Sequence, residues 1–129
     1  MIDWRAVCAV AIGAAIGGVL RYVIGQIFLQ RLGPGFPYGT LFINLTGSFA
    51  IGVIAQLALT RALGVSPLVR ILLATGVCGG YTTFSSFSLE LFQLSETGAT
   101  LPLVYAFTSV VLGFASSVAG IALARVAQR

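Results

Sequence analysis

The feature that most constrains this chain is a series of long stretches without any charged residue. One runs between Arg31 and Arg61, and another from Ile71 to Leu89. Of the 129 residues, 58% are hydrophobic and only 8% are charged, whereas a soluble domain carries about a quarter charged residues. Such a chain cannot cover itself with a surface suited to water, so we expect lipid to surround most of it.

Four apolar segments are each long enough to cross a bilayer, which takes roughly 20 residues. Loops rich in Pro and Gly separate them, and the regular alternation typical of transmembrane strands is absent. The sequence therefore predicts an all-α integral membrane protein with four transmembrane helices in a single domain. We place these helices at about residues 4–29, 38–60, 68–94 and 101–124.

The positive charges predict an orientation in the membrane. All seven are arginines, and four spans put both termini and the second loop on one side. That side carries Arg5, Arg61, Arg70, Arg125 and Arg129, and the other side has only Arg31. The positive-inside rule places the arginine-rich side in the cytoplasm. No basic run of the kind that binds nucleic acid occurs, so we expect these arginines to contact anionic membrane lipid.

The first segment has small or polar residues on one helix face. Gly13, Gly17, Arg21 and Gly25 follow one another at four-residue spacing. The glycines indicate close packing against another helix. Arg21 could extend to the membrane surface, or it could line a water-filled vestibule that attracts anions.

The second and fourth segments each carry a polar strip. Thr40 and Asn44 share one face of the second segment, where the Asn44 amide could join two helices or donate to an anion. The fourth segment holds four hydroxyls within one narrow sector: Tyr105, Thr108, Ser109 and Ser116. These hydroxyls could bond to carbonyls of their own helix, or they could line a polar path.

The third segment contains the most unusual run, Gly79-Gly80-Tyr81-Thr82-Thr83-Phe84-Ser85-Ser86-Phe87-Ser88. Glycines followed by β-branched and hydroxyl residues favour a break near the middle of this helix. Non-helical backbone in a membrane must be buried in protein or line a cavity, and converging free carbonyls suit a hard cation such as Na⁺. Phe84 and Phe87 share a face. They could pack in a core, or they could turn their positive ring edges toward an anion.

These polar groups favour an anion over a proton or a cation as the transported species. Three helices offer neutral hydrogen-bond donors, and Glu90 is the one candidate for an acid at membrane depth. Proton and cation pathways use carboxylates, whereas neutral donors suit a small anion that sheds its water. The chain has no His, no paired carboxylates and no nucleophile with an adjacent base, so we do not expect an enzyme.

Two other functions were weighed against anion transport. A small multidrug-type, proton-coupled exporter also has four short helices, but it needs a carboxylate in its first helix, where this chain has Arg21. A non-transporting membrane assembly subunit would explain the glycines. It would not explain the polar faces on three helices together with the break.

The chain resembles the Fluc (CrcB) family of small fluoride channels over essentially its whole length. The residues that carry the resemblance are Gly17-Gly18-Val19-Leu20-Arg21-Tyr22, then Gly39-Thr40-Leu41 with Asn44 and Gly47-Ser48, and above all the run from Gly79 to Ser88. The resemblance implies a channel that exports fluoride passively across the cell (inner) membrane and so relieves fluoride toxicity. It also implies an antiparallel, dual-topology homodimer with two pores and a structural Na⁺ at its centre.

The resemblance also assigns roles to individual residues. It implies a fluoride pore lined by Phe84, Phe87, Asn44, Ser109, Tyr105, Thr40 and Arg21. It further implies that backbone carbonyls of Gly79 and Thr82 from both subunits hold the Na⁺. The arginine count predicts one orientation of the chain, whereas the resemblance implies both.

Overall fold

All regular structure in the computed structural model, which describes residues 1–60, 64 and 66–129, is helical. Among the described residues, three helices are long and apolar enough to cross a membrane: α1 (Trp4–Leu32), α2 (Tyr38–Leu59) and α6 (Thr100–Val126). Between α2 and α6 the chain forms α3 (Pro67–Ile71), a π-helical segment (Leu72–Cys78), α4 (Gly79–Tyr81) and α5 (Phe84–Ser95). Arg61, one of the five arginines predicted on the cytoplasmic side, lies outside the described residues.

The third segment does not form one continuous helix. Thr82 and Thr83 have extended backbone angles, with ψ of 157° and 123°. The Thr83 hydroxyl then accepts a hydrogen bond from the Ser86 N–H, which makes Thr83 the N-cap of α5. The break predicted for this segment therefore lies at Thr82 and Thr83. The π-helical segment that precedes it was not predicted.

Contacts between the helices show their relative directions. Gly13 lies against Gly76, and Ala14 against Gly80, so α1 runs parallel to the third segment. Ser117 Oγ donates to the Ser48 carbonyl, and Arg125 Nε donates to Gln56 Oε1; both pairs are 69 residues apart. Helices α2 and α6 are thus parallel as well, and successive segments of the chain alternate in direction.

The packing interpretation is confirmed for Gly13 and Gly17 of α1, whereas a Cβ built on Gly25 would meet no atom within 4 Å. A Cβ built on Gly13 would lie 2.8 Å from the Gly76 Cα, and one built on Gly80 would lie 2.8 Å from the Ala14 Cα. Gly17 likewise faces the backbone of Val77 and Tyr81. Real Cβ atoms do not approach other atoms this closely, so glycine is what allows the two backbones to touch.

Most large apolar side chains face outward, as expected for a chain surrounded by lipid. Among the described residues, Ile43 and Tyr105 are the largest fully buried side chains. Exposed apolar residues follow the outer face of α6: Leu103, Phe107, Val110, Phe114 and Val118. A soluble fold of this size would bury such residues.

Candidate functional site

One turn of α2 holds the helix break in place. Asn44 Oδ1 accepts from the Thr83 N–H at 2.8 Å, and Asn44 Nδ2 donates to the Thr83 carbonyl at 3.0 Å. Two residues on, the Thr46 and Tyr81 hydroxyls lie 2.9 Å apart and share a hydrogen bond. Asn44 therefore joins two helices, which is one of the two roles its sequence position allowed. Its second amide N–H remains available to another acceptor.

The break leaves two carbonyls without their helical partners. In a continuous α-helix, the N–H groups of Thr83 and Ser86 would bond to the carbonyls four residues earlier, those of Gly79 and Thr82. Here the Thr83 N–H donates to Asn44 Oδ1 instead, and the Ser86 N–H donates to Thr83 Oγ1 at 3.1 Å. These are the two carbonyls that the sequence resemblance assigned to Na⁺.

Three aromatic side chains form a row beside the break. Phe84 opens α5 and is 79% exposed, and its ring centroid lies 5.6 Å from that of Phe87. The Phe87 ring lies 5.0 Å from the ring of Tyr105, which is fully buried. The structure thus brings Phe84, Phe87 and Tyr105 together, with only Phe84 largely uncovered.

Glu90 accepts hydrogen bonds from two hydroxyls that were predicted to line a pore. Thr40 Oγ1 donates to Glu90 Oε1 at 2.6 Å, and the Tyr105 hydroxyl donates to Glu90 Oε2 at 2.7 Å. The carboxylate thereby links α2, α5 and α6. Either hydroxyl would have to release Glu90 before it could donate to a passing anion.

A cavity of roughly 520 Å³ opens beside this carboxylate, at the end of the bundle where α1 ends and α2 begins. Thr40 and Glu90 contribute to its wall, together with Phe28, Phe36 and Gln93. The cavity therefore leads from the end of the bundle toward the buried polar cluster. Arg21, a predicted vestibule residue, is not among the residues that line it.

Ser109 has a buried hydroxyl for which the described part of the chain offers no hydrogen-bond partner. It lies one turn beyond Tyr105 on α6. Thr108, by contrast, donates to the Val104 carbonyl of its own helix. The two explanations offered for the hydroxyl strip thus each apply to a different residue: Thr108 bonds within its helix, and Ser109 is left without a partner.

Two residues of the candidate site, Glu90 and Thr83, were missed or left without a role by sequence reasoning. Glu90 lies three residues after Phe87, so both fall on one face of α5; that spacing was the available signal. Thr83 precedes Ser86 by three residues, which is the spacing of an N-cap hydroxyl and the N–H it accepts. Neither signal identifies the partner on another helix.

The chain is similar to known proteins over most of its length. A family model described as "CrcB-like protein, Camphor Resistance (CrcB)" matches residues 8–121. A protein of Rhizobium meliloti named "Fluoride-specific ion channel FluC" is 51% identical over 117 residues, covering 90% of this chain and 93% of the relative.

Two further relatives extend the comparison to other bacteria. "Fluoride-specific ion channel FluC 1" of Nitrobacter hamburgensis is 48% identical over 126 residues, covering 97% of this chain and 99% of the relative. A Roseiflexus protein named "Fluoride-specific ion channel FluC" is 46% identical over 121 residues, covering 93% and 97%. The region that the family model matches spans the residues of this chain that form the break, the aromatic row and the polar cluster around Glu90.

Proposed function

Since the chain belongs to the CrcB-like protein family, we propose that it is a fluoride-specific ion channel, as its relatives are named. It is a multi-pass membrane protein and not an enzyme. We place it in the cell (inner) membrane, where it lets fluoride leave the cell passively and so relieves fluoride toxicity.

The helix break is the observation that carries this proposal. It places Phe84, whose side chain is 79% exposed, directly after Thr83, the residue whose carbonyl accepts from the Asn44 amide. Fluoride is small and strongly hydrated, so a pore must replace its water with donors held at fixed positions. Amide and hydroxyl groups supply such donors, and the positive edge of a phenyl ring adds a further attraction.

The fluoride path begins at the cavity beside Glu90. Thr40 and Tyr105 donate to that carboxyl group, and we propose that they release it and donate to fluoride as the ion passes. Phe87, Phe84 and the unpartnered Ser109 hydroxyl continue the path toward the break. Arg21 contributes positive charge near one mouth of the pore rather than a direct contact.

The pore requires a second copy of the chain. Phe84 and Gly79 are exposed in a single chain. The backbone at the break has unpaired polar groups, and such groups cannot face lipid. A partner that packs on this surface would cover both residues and complete two equivalent pores. We propose four membrane crossings for each chain, the third made by Pro67–Ser95, and an antiparallel arrangement of the two chains.

A structural Na⁺ fits the donors at the break. Sodium prefers neutral or anionic oxygen ligands, and the Gly79 and Thr82 carbonyls have lost their helical N–H partners. A Cβ built on Gly79 would meet no atom within 4 Å, so the approach to its backbone is open. A bound Na⁺ would supply a positive charge that holds the carbonyls of the two subunits together.

The proposed function is tested by ion efflux from liposomes that contain only the purified protein. We expect fluoride to leave and chloride to stay, because donors spaced to replace the water of the small fluoride ion do not fit the larger chloride ion. Comparable fluoride and chloride efflux would contradict the proposal. Cross-linking in the same membranes tests the dimer, and a C-terminal tag accessible from one face only would exclude the antiparallel arrangement.

A further inference from the structure

We propose that Asn44 and Thr83 are positioning residues that expose the Gly79 and Thr82 carbonyls to a cation. Each acts through its side-chain oxygen, which takes an N–H group away from one of these carbonyls. The inference rests on the proposed function, because it explains how this chain builds the ion site at the centre of the dimer.

Asn44 acts on the carbonyl of Gly79. Its Oδ1 accepts the Thr83 N–H at 2.8 Å, and Nδ2 fixes the same peptide unit from the other side by donating to the Thr83 carbonyl at 3.0 Å. Thr83 is 7% exposed, so no solvent competes for these bonds. Without the Asn44 amide, the Thr83 N–H has a ready partner in the Gly79 carbonyl, as in an ordinary helix.

Thr83 acts in the same way on the carbonyl of Thr82. Its hydroxyl accepts the Ser86 N–H at 3.1 Å and so caps α5. In a continuous helix that N–H would bond to the Thr82 carbonyl. The two new acceptors lie on different elements, one on α2 and the other at the break itself.

The physical consequence is competition between a cation and the helix for the same oxygen atoms. When a carbonyl regains its helical N–H, a cation must displace that bond before it can bind. One intramolecular hydrogen bond shifts such an equilibrium roughly fivefold, and a dimer contributes two copies of each carbonyl, so loss of either side chain should weaken cation binding by roughly 25-fold.

The test measures sodium-dependent thermal stability of the purified dimer, in sodium and in choline salts of equal ionic strength. A ligand that binds only the folded protein raises its melting temperature in proportion to the logarithm of the ligand concentration above Kd. We expect Asn44→Ala and Thr83→Val each to require roughly 25-fold more sodium than the unmodified protein for the same increase. Thr83→Val keeps nearly the same shape, so it tests the idea even if Asn44→Ala folds poorly.

A matched variant separates positioning from general destabilisation. Thr108→Val removes a hydroxyl that is bonded within α6 and does not contact the break. It should keep the sodium dependence of the unmodified protein, even where its melting temperature in choline is lower.

Two results would overturn the inference. One is unchanged sodium dependence in both Asn44→Ala and Thr83→Val, and the other is an unmodified dimer that sodium does not stabilise at all. Fluoride efflux from the same preparations is a separate readout. Fluoride efflux from the unmodified protein with no sodium effect would support the proposed function and reject the inference. Sodium stabilisation without fluoride efflux would reject the proposed function and leave the inference standing.

Discussion

Replacement of Phe84 by Ile separates pore chemistry from folding. The Phe84 side chain is 79% exposed in one chain, and its main aromatic contact is Phe87 at 5.6 Å. Full burial of a Phe is worth roughly 1.5–3 kcal/mol, so the buried fifth contributes about 0.3–0.6 kcal/mol. The ring pair adds about 0.5–1.5 kcal/mol. Within one chain, Phe84→Ile should therefore cost no more than about 2 kcal/mol of stability.

Phe84→Ile should reduce fluoride flux in protein that remains folded. Ile keeps an apolar side chain but removes the electropositive ring edge. We expect fluoride efflux from liposomes to fall at least about tenfold, which corresponds to a barrier higher by about 1.4 kcal/mol, in protein that remains dimeric by light scattering.

Phe107→Ile serves as the control for Phe84→Ile, because Phe107 is 72% exposed on α6, away from the break. It should conduct normally. Normal efflux through Phe84→Ile as well would assign that ring to packing and refute the reasoning.

Three other substitutions test separate parts of the structure. Gly80→Ala should lower the melting temperature by an amount equivalent to about 1–3 kcal/mol, because its Cβ would meet the Ala14 backbone, whereas Gly79→Ala has open space in one chain and should keep each chain folded. Glu90→Gln should lower the free energy of unfolding by roughly 1.5–3 kcal/mol, since the carboxyl acceptor of two hydroxyls is lost. An unchanged melting curve would argue against a stabilising role for Glu90. Ser109→Ala should leave thermal stability unchanged, because the hydroxyl has no partner in the described chain, and should reduce fluoride efflux.

Features encoded by neighbouring residues could be predicted from the sequence. The glycine spacing in α1 indicated a packed face, and Gly13 and Gly17 lie against the third segment. The Thr82-Thr83 pair after two glycines indicated a break, and the chain leaves helical geometry at those residues. In both cases the signal is local, because backbone propensity and side-chain size act within a turn or two of the helix.

Features that depend on contacts between distant residues could not be predicted in the same way. Asn44 and Thr83 are 39 residues apart, and Glu90 and Thr40 are 50 residues apart. Which hydroxyl meets which carboxylate depends on the rotation of each helix about its axis, and polar strips on separate helices do not determine that rotation. The resemblance supplied the residues Gly79 and Thr82, whereas the hydrogen bonds explain why their carbonyls are free.

The most direct test of the account is the reversal potential of the current that the purified protein carries across a planar bilayer. With a tenfold gradient of fluoride, and with chloride and pH equal on both sides, a fluoride-specific passive channel should reverse at about 59 mV, the value for one charge per tenfold gradient. A tenfold chloride gradient at equal fluoride should give a reversal potential near zero. A potential that follows the chloride gradient would contradict the account.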